Sequence, residues 1–526
     1  MSRSALPPDE PSKQPGSDRL DRRAFLAGVG SLGLALTTGR GASAKAKLPP
    51  VTGAGPSSRA RIAKAGSPKT LQQAIKGHVF HRGQPGFGGA AHVFNPRFDS
   101  VQPSAVARPI NDVDVRNAIR FTVAHNMPVR ARSGGHSYAG YSTLSGGVVL
   151  DLRKLNSIHV DKHAGTATVG AGVQLIDIYA GLAKAGATLP AGSCPSVGVS
   201  GVTLGGGFGL AGRHFGLSLD NLMAVKIVTA DGRLRTVDKK SDADLLWALK
   251  GGGGGNFGVV TEFTFKVHPL PASAAYFNVT WPWSSGTAGI DAWQSWAPHV
   301  TDKITSILHV NSARSHPAVP PSITANGQYL GSASALPSLL APLLSVPGAN
   351  LVSHFDLPYV PLQLLWAGCT HDTVAACHTM GAGPGGTLKR LKFNAKSDYV
   401  ATPLSSAGRN AVVAAAESAV ASGGALLCDA YGGAINRVAP GATAFVHRQQ
   451  LFCIQYYGNG PSAAWIDQAW SKLRPFVSGM AYQNYIDPHL KGWQQAYYGN
   501  NYKRLKATRK RIDPHHYFNF PQAIGR

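Results

Sequence analysis

Two glycine-rich loops each carry a side chain that can act as a nucleophile. The first loop, residues 132–138, contains His136 in the sequence Arg-Ser-Gly-Gly-His-Ser-Tyr, and the second, residues 192–209, contains Cys194 in Gly-Ser-Cys-Pro-Ser-Val-Gly. Histidine and cysteine both serve in covalent catalysis. Paired glycines let backbone N–H groups converge on an anion such as a pyrophosphate. One glycine-rich loop is a weak signal, but a nucleophile in each of two such loops is a more specific pattern.

Other common sites do not fit these residues. Neither loop has the Gly-x-Gly-x-x-Gly fingerprint with an acidic residue about 20 positions later, and neither has the Gly-Lys-Ser/Thr of a nucleotide P-loop. His515 and His516 are adjacent, but no carboxylate or thiol ligand set is spaced with them. The sequence therefore predicts no metal centre.

The two loops resemble those of the berberine-bridge-enzyme-like group of the vanillyl-alcohol-oxidase superfamily of FAD oxidoreductases. The cofactor-binding unit of this group is of the p-cresol-methylhydroxylase type. The resemblance implies that FAD is bound covalently at two points, through His136 to the flavin 8-methyl carbon and through Cys194 to flavin carbon 6. Double linkage is expected to hold the ring in an open site and to raise its reduction potential.

The same resemblance covers much of the chain. The match is dense from about residue 97 to residue 271 and from about residue 481 to the end, and thinner between them. His516 departs from the family pattern, in which Asn is usual. Besides the two anchors, the resemblance implies the following cofactor-binding residues: Arg132, Ser133, Gly134, Gly135, Ser137, Gly198, Gly201, Gly205, Gly206, Gly207, Asn256, Gly258, Val259, Asn501 and Tyr502.

Oxidation of an alcohol needs a hydride acceptor and a base for the hydroxyl proton. Tyr485 lies in a segment similar to the family's Tyr-x-Asn-Tyr-x-Asp and is the implied base. Its ordinary pKa near 10 has to be lowered by a nearby cation or by the oxidised flavin. Gln455 matches a position where other members carry a carboxylate base, and because an amide cannot take a proton we expect it to orient the substrate. Packing alone is the alternative for both side chains.

The residue three positions after the linking cysteine is Val197. In this family a small side chain at that position favours reaction with oxygen. The resemblance thus implies an oxidase that transfers hydride from an alcohol of a sugar, an oligosaccharide or a secondary metabolite to FAD, with O2 giving H2O2. Two alternatives stay open: a dehydrogenase that uses a quinone or a protein as electron acceptor, and a protein that retains flavin without turnover. The sequence specifies neither the substrate nor the oligomeric state.

The N-terminus resembles a twin-arginine export signal. Arg22 and Arg23 are followed by Phe-Leu, a mildly apolar stretch and an Ala-Ser-Ala sequence that ends at Ala44. Asp21 departs from the usual Ser or Thr. The resemblance implies a periplasmic or secreted protein.

Short strands and helices with long glycine-rich links predict an α+β fold. Val113–His125 has helical spacing, Val259–Val267 alternates as a strand, and Ala230-Asp231-Gly232 is a hairpin signal. The predicted parts are a signal peptide (1–44), a disordered leader (45–69), a two-lobed FAD-binding domain of the p-cresol-methylhydroxylase type (70–271, core 97–271), a substrate domain built on an antiparallel sheet with helices (272–480) and a C-terminal berberine-bridge-type segment that returns to the FAD domain (481–526).

Composition excludes several classes of protein. Of the 526 residues, 44% are hydrophobic and 15% are charged, which argues against a disordered chain. The sequence has no run of about 18 apolar residues, so we expect no membrane-spanning helix in the mature chain. The net charge of +25 comes from scattered basic residues without a nucleic-acid-binding signature, so we expect no nucleic-acid partner. Apart from Cys194, four cysteines could include a disulfide, with the pairing left open: Cys369, Cys377, Cys428 and Cys453.

Overall fold

The computed structural model describes residues 67–315, 318–381, 385–418, 423–459 and 463–526. The signal peptide predicted over residues 1–44, and most of the leader predicted over residues 45–69, lie outside these ranges. The first helix begins at Pro68, and the Ser67 side chain caps it by accepting a hydrogen bond from the backbone N–H of Thr70. The last residues assigned to the leader are therefore helical. Among the described helices, none is long and apolar enough to span a membrane.

The first lobe of the N-terminal domain is a four-stranded sheet with helices. Its elements are α1 (Pro68–Ala74), β1 (His78–His81), α2 (Phe87–Ala91), β2 (Ala105–Arg108), α3 (Asp112–Ala124), β3 (Val129–Arg132) and β4 (Val148–Asp151). The strand order is β1-β2-β4-β3, with β2, β4 and β3 parallel. Parallel strands need a crossover connection, and α3 supplies the one between β2 and β3. Its inward face buries Val115, Ala118 and Ile119.

The second lobe is a five-stranded antiparallel sheet. Its elements are β5 (Ile158–Asp161), β6 (Thr166–Gly170), α4 (Leu175–Ala183), β7 (Ala187–Thr188), α5 (Val199–Gly205), α6 (Gly212–Phe215), β8 (Leu222–Val228), β9 (Leu234–Val237), α7 (Ala243–Leu249), β10 (Val259–Lys266) and β11 (His268–Pro269). The strand order is β5-β6-β10-β8-β9, and β7 pairs with β11. The predicted hairpin turn joins β8 to β9. Part of the second glycine-rich loop is helical, since α5 begins directly after Gly198.

The second domain is built on a seven-stranded antiparallel sheet. Its elements are β12 (Ser273–Trp281), α8 (Gly286–Trp296), β13 (Ile304–Asn311), β14 (Arg314–Ser315), β15 (Ala318–Val319), β16 (Ser322–Tyr329), α9 (Leu336–Leu339), α10 (Ala341–Leu344), β17 (Asn350–Pro358), α11 (Tyr359–Trp366), β18 (Phe393–Val400), α12 (Ser406–Glu417), β19 (Gly424–Ala430), α13 (Gly433–Asn436), β20 (Phe452–Asn459) and α14 (Ala463–Leu473). The strand order is β17-β12-β16-β13-β19-β20-β18. Helices α8, α12 and α14 cover one face with an apolar core, which leaves the other face of the central strands for the N-terminal domain. The predicted α+β fold of two domains is confirmed.

The C-terminal segment returns to the N-terminal domain. It contains α15 (Trp493–Tyr498) and α16 (Tyr502–Ile512), preceded by a 3₁₀ turn over Gln483–Tyr485. The Tyr517 hydroxyl lies 2.6 Å from Oγ1 of Thr122 in α3. This contact ties the end of the segment to the N-terminal domain.

The structure settles the cysteine pairing that the sequence left open. Cys369 and Cys377 form a disulfide between α11 and β18. Cys428 and Cys453 are free and lie on neighbouring strands, where Cys428 is opposite Ile454 and Cys453 is opposite Asp429. Successive residues of a strand point to opposite faces, so the two thiols belong to different cores and do not pair.

Candidate active site

A cavity of about 300 Å³ collects the motif residues from both domains. His136 and Cys194 line it from the N-terminal domain. Asp429 and Gln455 line it from the seven-stranded sheet, and Tyr485 lines it from the C-terminal segment. Two nucleophiles and a group of polar side chains from distant parts of the chain therefore share one site.

The two glycine-rich loops cross in direct backbone contact. A Cβ atom on Gly134 would lie 2.3 Å from the backbone N of Gly198, and a Cβ atom on Gly198 would lie 2.2 Å from the backbone N of Gly134. Real Cβ atoms do not approach so closely, so only glycine fits at either position. The crossing brings His136 and Cys194 to the same cavity.

Burial shifts the pKa values of His136 and Cys194 in opposite directions. Nε2 of His136 lies 3.0 Å from Oγ of Ser196, and the ring stacks on Phe94 with the centroids 3.9 Å apart. Desolvation lowers the pKa of His136 to about 3, so the imidazole is neutral at pH 7. Burial raises the pKa of the Cys194 thiol to about 11. The imidazole is thus in its nucleophilic form, whereas the thiol must lose a proton before it can attack.

Strand register sets the opposite wall of the cavity. Asp429 on β19 pairs with Ile307 on β13 and with Cys453 on β20. Gln455 on β20 pairs with Leu427 on β19. Because side chains alternate along a strand, Asp429 and Gln455 share the face that lines the cavity.

Asp429 and Tyr485 form a hydrogen-bonded pair that the sequence did not predict. The Tyr485 hydroxyl donates to Oδ2 of Asp429 at 3.0 Å. Burial raises the pKa of Asp429 to about 7 and the pKa of Tyr485 well above its usual value of 10. The neighbours that act on the pKa of Tyr485 include the Asp429 carboxyl group and no cation, so the expectation of a nearby cation is wrong. A lowering of this pKa by the oxidised flavin stays a prediction. The available signal was a single acidic residue inside the otherwise apolar strand Gly424–Ala430.

Gln455 is fixed by a second tyrosine that the sequence analysis did not assign a role. Its Nε2 donates to the hydroxyl of Tyr138 at 2.7 Å. The ring of Tyr138 stacks on Tyr485, with the centroids 5.5 Å apart and the planes 8° from parallel. The stacked rings and the amide thus form one connected wall of the cavity.

The predicted cofactor residues separate into two groups. Several line the cavity, together with Val197: Ser133, Gly134, Gly135, Ser137, Gly198, Gly201, Gly258 and Val259. The others do not line it: Arg132, Gly205, Gly206, Gly207, Asn256, Asn501 and Tyr502.

The second group is bound to protein atoms behind the cavity. Arg132 is buried and paired with Asp151 at 3.2 Å. Oδ1 of Asn256 accepts a hydrogen bond from the backbone N–H of Ile524, and the amide of Asn501 donates to backbone carbonyls that include that of Pro440. The Tyr502 hydroxyl accepts a hydrogen bond from the backbone N–H of Gly525.

The three glycines of the second group make room for neighbouring side chains. A Cβ on Gly205 would meet Asn484, one on Gly206 would lie 2.5 Å from Oη of Tyr482, and one on Gly207 would meet Ser218. These positions shape the site without contacting the cavity. Their direct contact with a cofactor stays a prediction.

The cavity has features that suit a flat cofactor with an anionic tail. Close backbone approach at Gly134 and Gly198 leaves no side chain at the loop crossing. Nε of Arg130 and the hydroxyl of Tyr141 are buried without a hydrogen-bond partner, and both residues line the cavity. Other buried polar atoms of the described residues also have no partner, but these two belong to residues that line the cavity, so they are available to a polar ligand bound there. Within the described ranges no group of three or more His, Cys, Asp and Glu side chains is placed to hold a metal ion.

Comparison with known proteins gives consistent matches over most of the chain. The model of the FAD binding domain matches residues 103–238, and the model of the berberine and berberine-like family matches residues 481–525. The chain is 34% identical over 460 residues to the FAD-linked oxidoreductase YvdP of Bacillus subtilis (strain 168), which covers 86% of this chain and 98% of that protein.

Two solved structures are similar to this one. Physcomitrella patens BBE-like 1 is 32% identical with a TM-score of 0.80, and the match covers 87% of this chain and 99% of that chain. A xylooligosaccharide oxidase from Myceliophthora thermophila C1, solved in complex with xylobiose, is 26% identical with a TM-score of 0.77 and the same coverage of 87% and 99%.

The two-domain fold and the cavity define an FAD-linked oxidoreductase of the p-cresol-methylhydroxylase superfamily. The chain belongs to the berberine-bridge-enzyme-like family of these enzymes. The predictions of the family, of FAD as the cofactor and of oxidoreductase activity are confirmed. The residues that line the cavity fit FAD, with Gly134 and Gly198 at the loop crossing and Arg130 available to an anionic group.

Proposed function

We propose that this enzyme oxidises an alcohol carbon of a sugar, an oligosaccharide or a secondary metabolite, with FAD linked to His136 and Cys194. Electrons then pass to O2 and give H2O2. The observation that carries this proposal is the Asp429–Tyr485 pair, which lines the same cavity as His136 and Cys194. When bound, FAD supplies the hydride acceptor. The protein must then supply a proton acceptor on the substrate side.

Asp429 is that proton acceptor in our proposal. A general base is most effective when its pKa lies near the working pH, and burial brings the pKa of Asp429 to about 7. The hydroxyl of Tyr485 is protonated and already donates to this carboxylate at 3.0 Å. Tyr485 can therefore take the substrate proton at Oη while it passes its own proton to Oδ2 of Asp429.

Gln455 and Tyr138 orient the substrate. The amide of Gln455 cannot accept a proton at neutral pH, and its Nε2 is engaged with Oη of Tyr138. This contact fixes both groups relative to Tyr485, on which Tyr138 stacks. Fixed polar groups beside the base hold the reacting hydroxyl in one orientation.

The linkage proposal rests on the two nucleophiles and their surroundings. His136 is neutral and held by Ser196 and Phe94, so its ring has one fixed orientation. Cys194 is a free thiol that lines the cavity. Val197 is also on the cavity wall, where a small side chain leaves space for O2.

We also propose that the protein is exported by the twin-arginine route, with a signal over residues 1–44. The Cys369–Cys377 disulfide supports this, because structural disulfides persist in oxidising compartments. Replacing Arg22 and Arg23 by Lys should leave the protein in the cytoplasm. Normal export of this variant would contradict the proposal.

The function is tested first by acid precipitation of the purified protein. Flavin should stay in the pellet of the wild type and of each single variant, His136→Ala and Cys194→Ala, but leave the pellet of the double variant. A screen of sugars and secondary-metabolite alcohols coupled to peroxide detection then identifies the substrate. Flavin that is reduced without oxygen should reoxidise within seconds on mixing with air. Reoxidation over minutes would contradict the oxidase and favour a dehydrogenase.

A further inference from the structure

Arg130 is a cation in the cavity wall without an anionic partner. It lies on β3, two residues before Arg132, and lines the cavity together with Tyr141 and Phe520. Its one hydrogen bond within the described residues goes from Nη1 to the backbone carbonyl of Val129, and its Nε is buried without a partner. The guanidinium lies over the ring of Phe520, 5.7 Å from the centroid. Arg130 is partly buried and faces the cavity without a carboxylate partner, so its guanidinium is available to an anion bound there.

The neighbouring groups increase that requirement. Burial lowers the pKa of Arg130 to about 10, and Arg526 adds a like charge nearby. The Tyr141 hydroxyl is also buried without a partner, and its ring packs against Phe520 at a centroid distance of 5.3 Å. The charge of Asp487 raises the pKa of Tyr141, but this carboxylate is already paired with Lys396, with Nζ and Oδ2 2.6 Å apart. No described carboxylate is therefore paired with Arg130.

Arg132, on the same strand, has a structural role and can be compared with Arg130. Its guanidinium pairs with Asp151 and donates to backbone carbonyls that include that of His92. Nε of Arg132 is also without a partner, but its NH groups are paired with a carboxylate and with distant carbonyls. Arg130, two positions earlier, donates only to the carbonyl of the neighbouring Val129 and has no carboxylate partner among the described residues. The difference indicates that Arg130 is held for a ligand rather than for the fold.

We propose that Arg130 is the counter-ion of the FAD pyrophosphate and that the Tyr141 hydroxyl donates to the same group. The pyrophosphate is the anionic part of this cofactor, and a guanidinium binds phosphate oxygens with strong, charge-assisted hydrogen bonds. The ring of Phe520 packs against the guanidinium as a cation–π neighbour. This inference rests on FAD binding and not on the reaction proposed above.

Reversible binding provides the first test. In a background with His136→Ala and Cys194→Ala, the affinity for FAD can be titrated whether or not covalent links form in the wild type. Arg130→Met should weaken FAD at least tenfold and leave riboflavin, which has no phosphate, unchanged. Arg130→Lys should recover part of the loss, and Tyr141→Phe should weaken FAD by a smaller factor. Equal losses for FAD and riboflavin, or no loss for either, would overturn the proposal.

A matched control is available in Arg97. It is also half-buried, lies 5.4 Å from the centroid of Phe98 and donates to the backbone carbonyl of Phe393, but it does not line the cavity. Arg97→Met should bind FAD and riboflavin as the background does. A preferential loss of FAD in this control would overturn the assignment to Arg130.

Phosphorus NMR of the holoprotein is a second readout that needs no titration. The two pyrophosphate resonances should shift in Arg130→Met and move back towards the wild-type positions in Arg130→Lys. Overlapping spectra of the wild type and Arg130→Met would overturn the proposal. Circular dichroism confirms that each variant is folded before its spectrum is compared.

Discussion

The two walls of the cavity are built in different ways. The wall that carries His136 and Cys194 comes from two loops less than 80 residues apart, held together by glycines whose backbones touch. The opposite wall takes Asp429, Gln455 and Tyr485 from two strands and a C-terminal turn. The first wall depends on close backbone contact, and the second depends on strand register and domain packing. Substitutions should therefore affect the two walls in different ways.

The largest effect is expected where the loops cross. A Cβ at Gly134 would lie 2.3 Å from a backbone atom of Gly198, and backbone cannot turn aside as a flexible side chain can. Gly134→Ala should therefore abolish flavin retention, measured as flavin absorbance per protein. The control is Gly88→Ala, at an exposed helical position with open space around the new methyl group. Full flavin content in Gly134→Ala would show that the loop crossing is not required.

On the opposite wall, Asp429→Asn should separate chemistry from cofactor binding. We expect kcat to fall by about 10²–10⁴-fold, the usual contribution of a general base, with flavin content unchanged. Asp398→Asn is the matched control, since burial also raises the pKa of Asp398 to about 7 but its carboxylate contacts Arg474 and Tyr456 outside the cavity. The control should lose stability and keep its kcat. An equal loss of kcat in both variants would contradict the assignment of Asp429 as the general base.

The pH dependence sharpens the assignment of the base. Asp429 must be deprotonated to accept a proton, so kcat/KM should be constant above about pH 7 and fall tenfold per pH unit below it. The Tyr485 hydrogen bond stabilises the carboxylate and lowers the pKa of Asp429. Tyr485→Phe also removes the hydroxyl that takes the substrate proton, so its kcat should fall. In the activity that remains, the pKa of Asp429 should be raised and the acidic limb should move about one unit to higher pH.

Tyr431→Phe is the control for this pH measurement. The Tyr431 hydroxyl lies 2.9 Å from that of Tyr399 and makes no hydrogen bond to Asp429. Its acidic limb should stay at the wild-type position. If the acidic limb of the kcat/KM profile also stays at the wild-type position in Tyr485→Phe, the observed pKa belongs to a group other than Asp429.

A smaller effect, confined to stability, is expected at the disulfide. Cys369 and Cys377 close a short loop that packs against Ile176, and His378 beside it lies 2.9 Å from Asp177. Replacing both cysteines by Ser should lower the free energy of unfolding by about 2–3 kcal/mol, as expected for a loop of this length. Denaturant unfolding measures this change, and kcat should stay the same because the loop does not line the cavity. Wild-type protein unfolded under reducing conditions should match the variant.

The sequence by itself determined the wall built from glycines. His136 and Cys194 stand in loops whose glycines are required by backbone contact, a constraint that allows one residue type and is therefore visible in the sequence. Secondary structure was predictable for the same reason: the helix predicted from Val113 to His125 spans Asp112–Ala124, because apolar spacing alone specifies its buried face.

Only the tertiary structure decided the chemistry of the opposite wall. Asp429 became a candidate base because strand pairing, burial and the Tyr485 hydroxyl meet at its carboxylate, and none of these is a property of its own segment. The same holds for Arg130 and Arg132, which are two residues apart on one strand but differ in whether a carboxylate lies within reach. A pKa and an ion pair depend on which distant groups the fold brings together, and a sequence of residue types does not contain those distances.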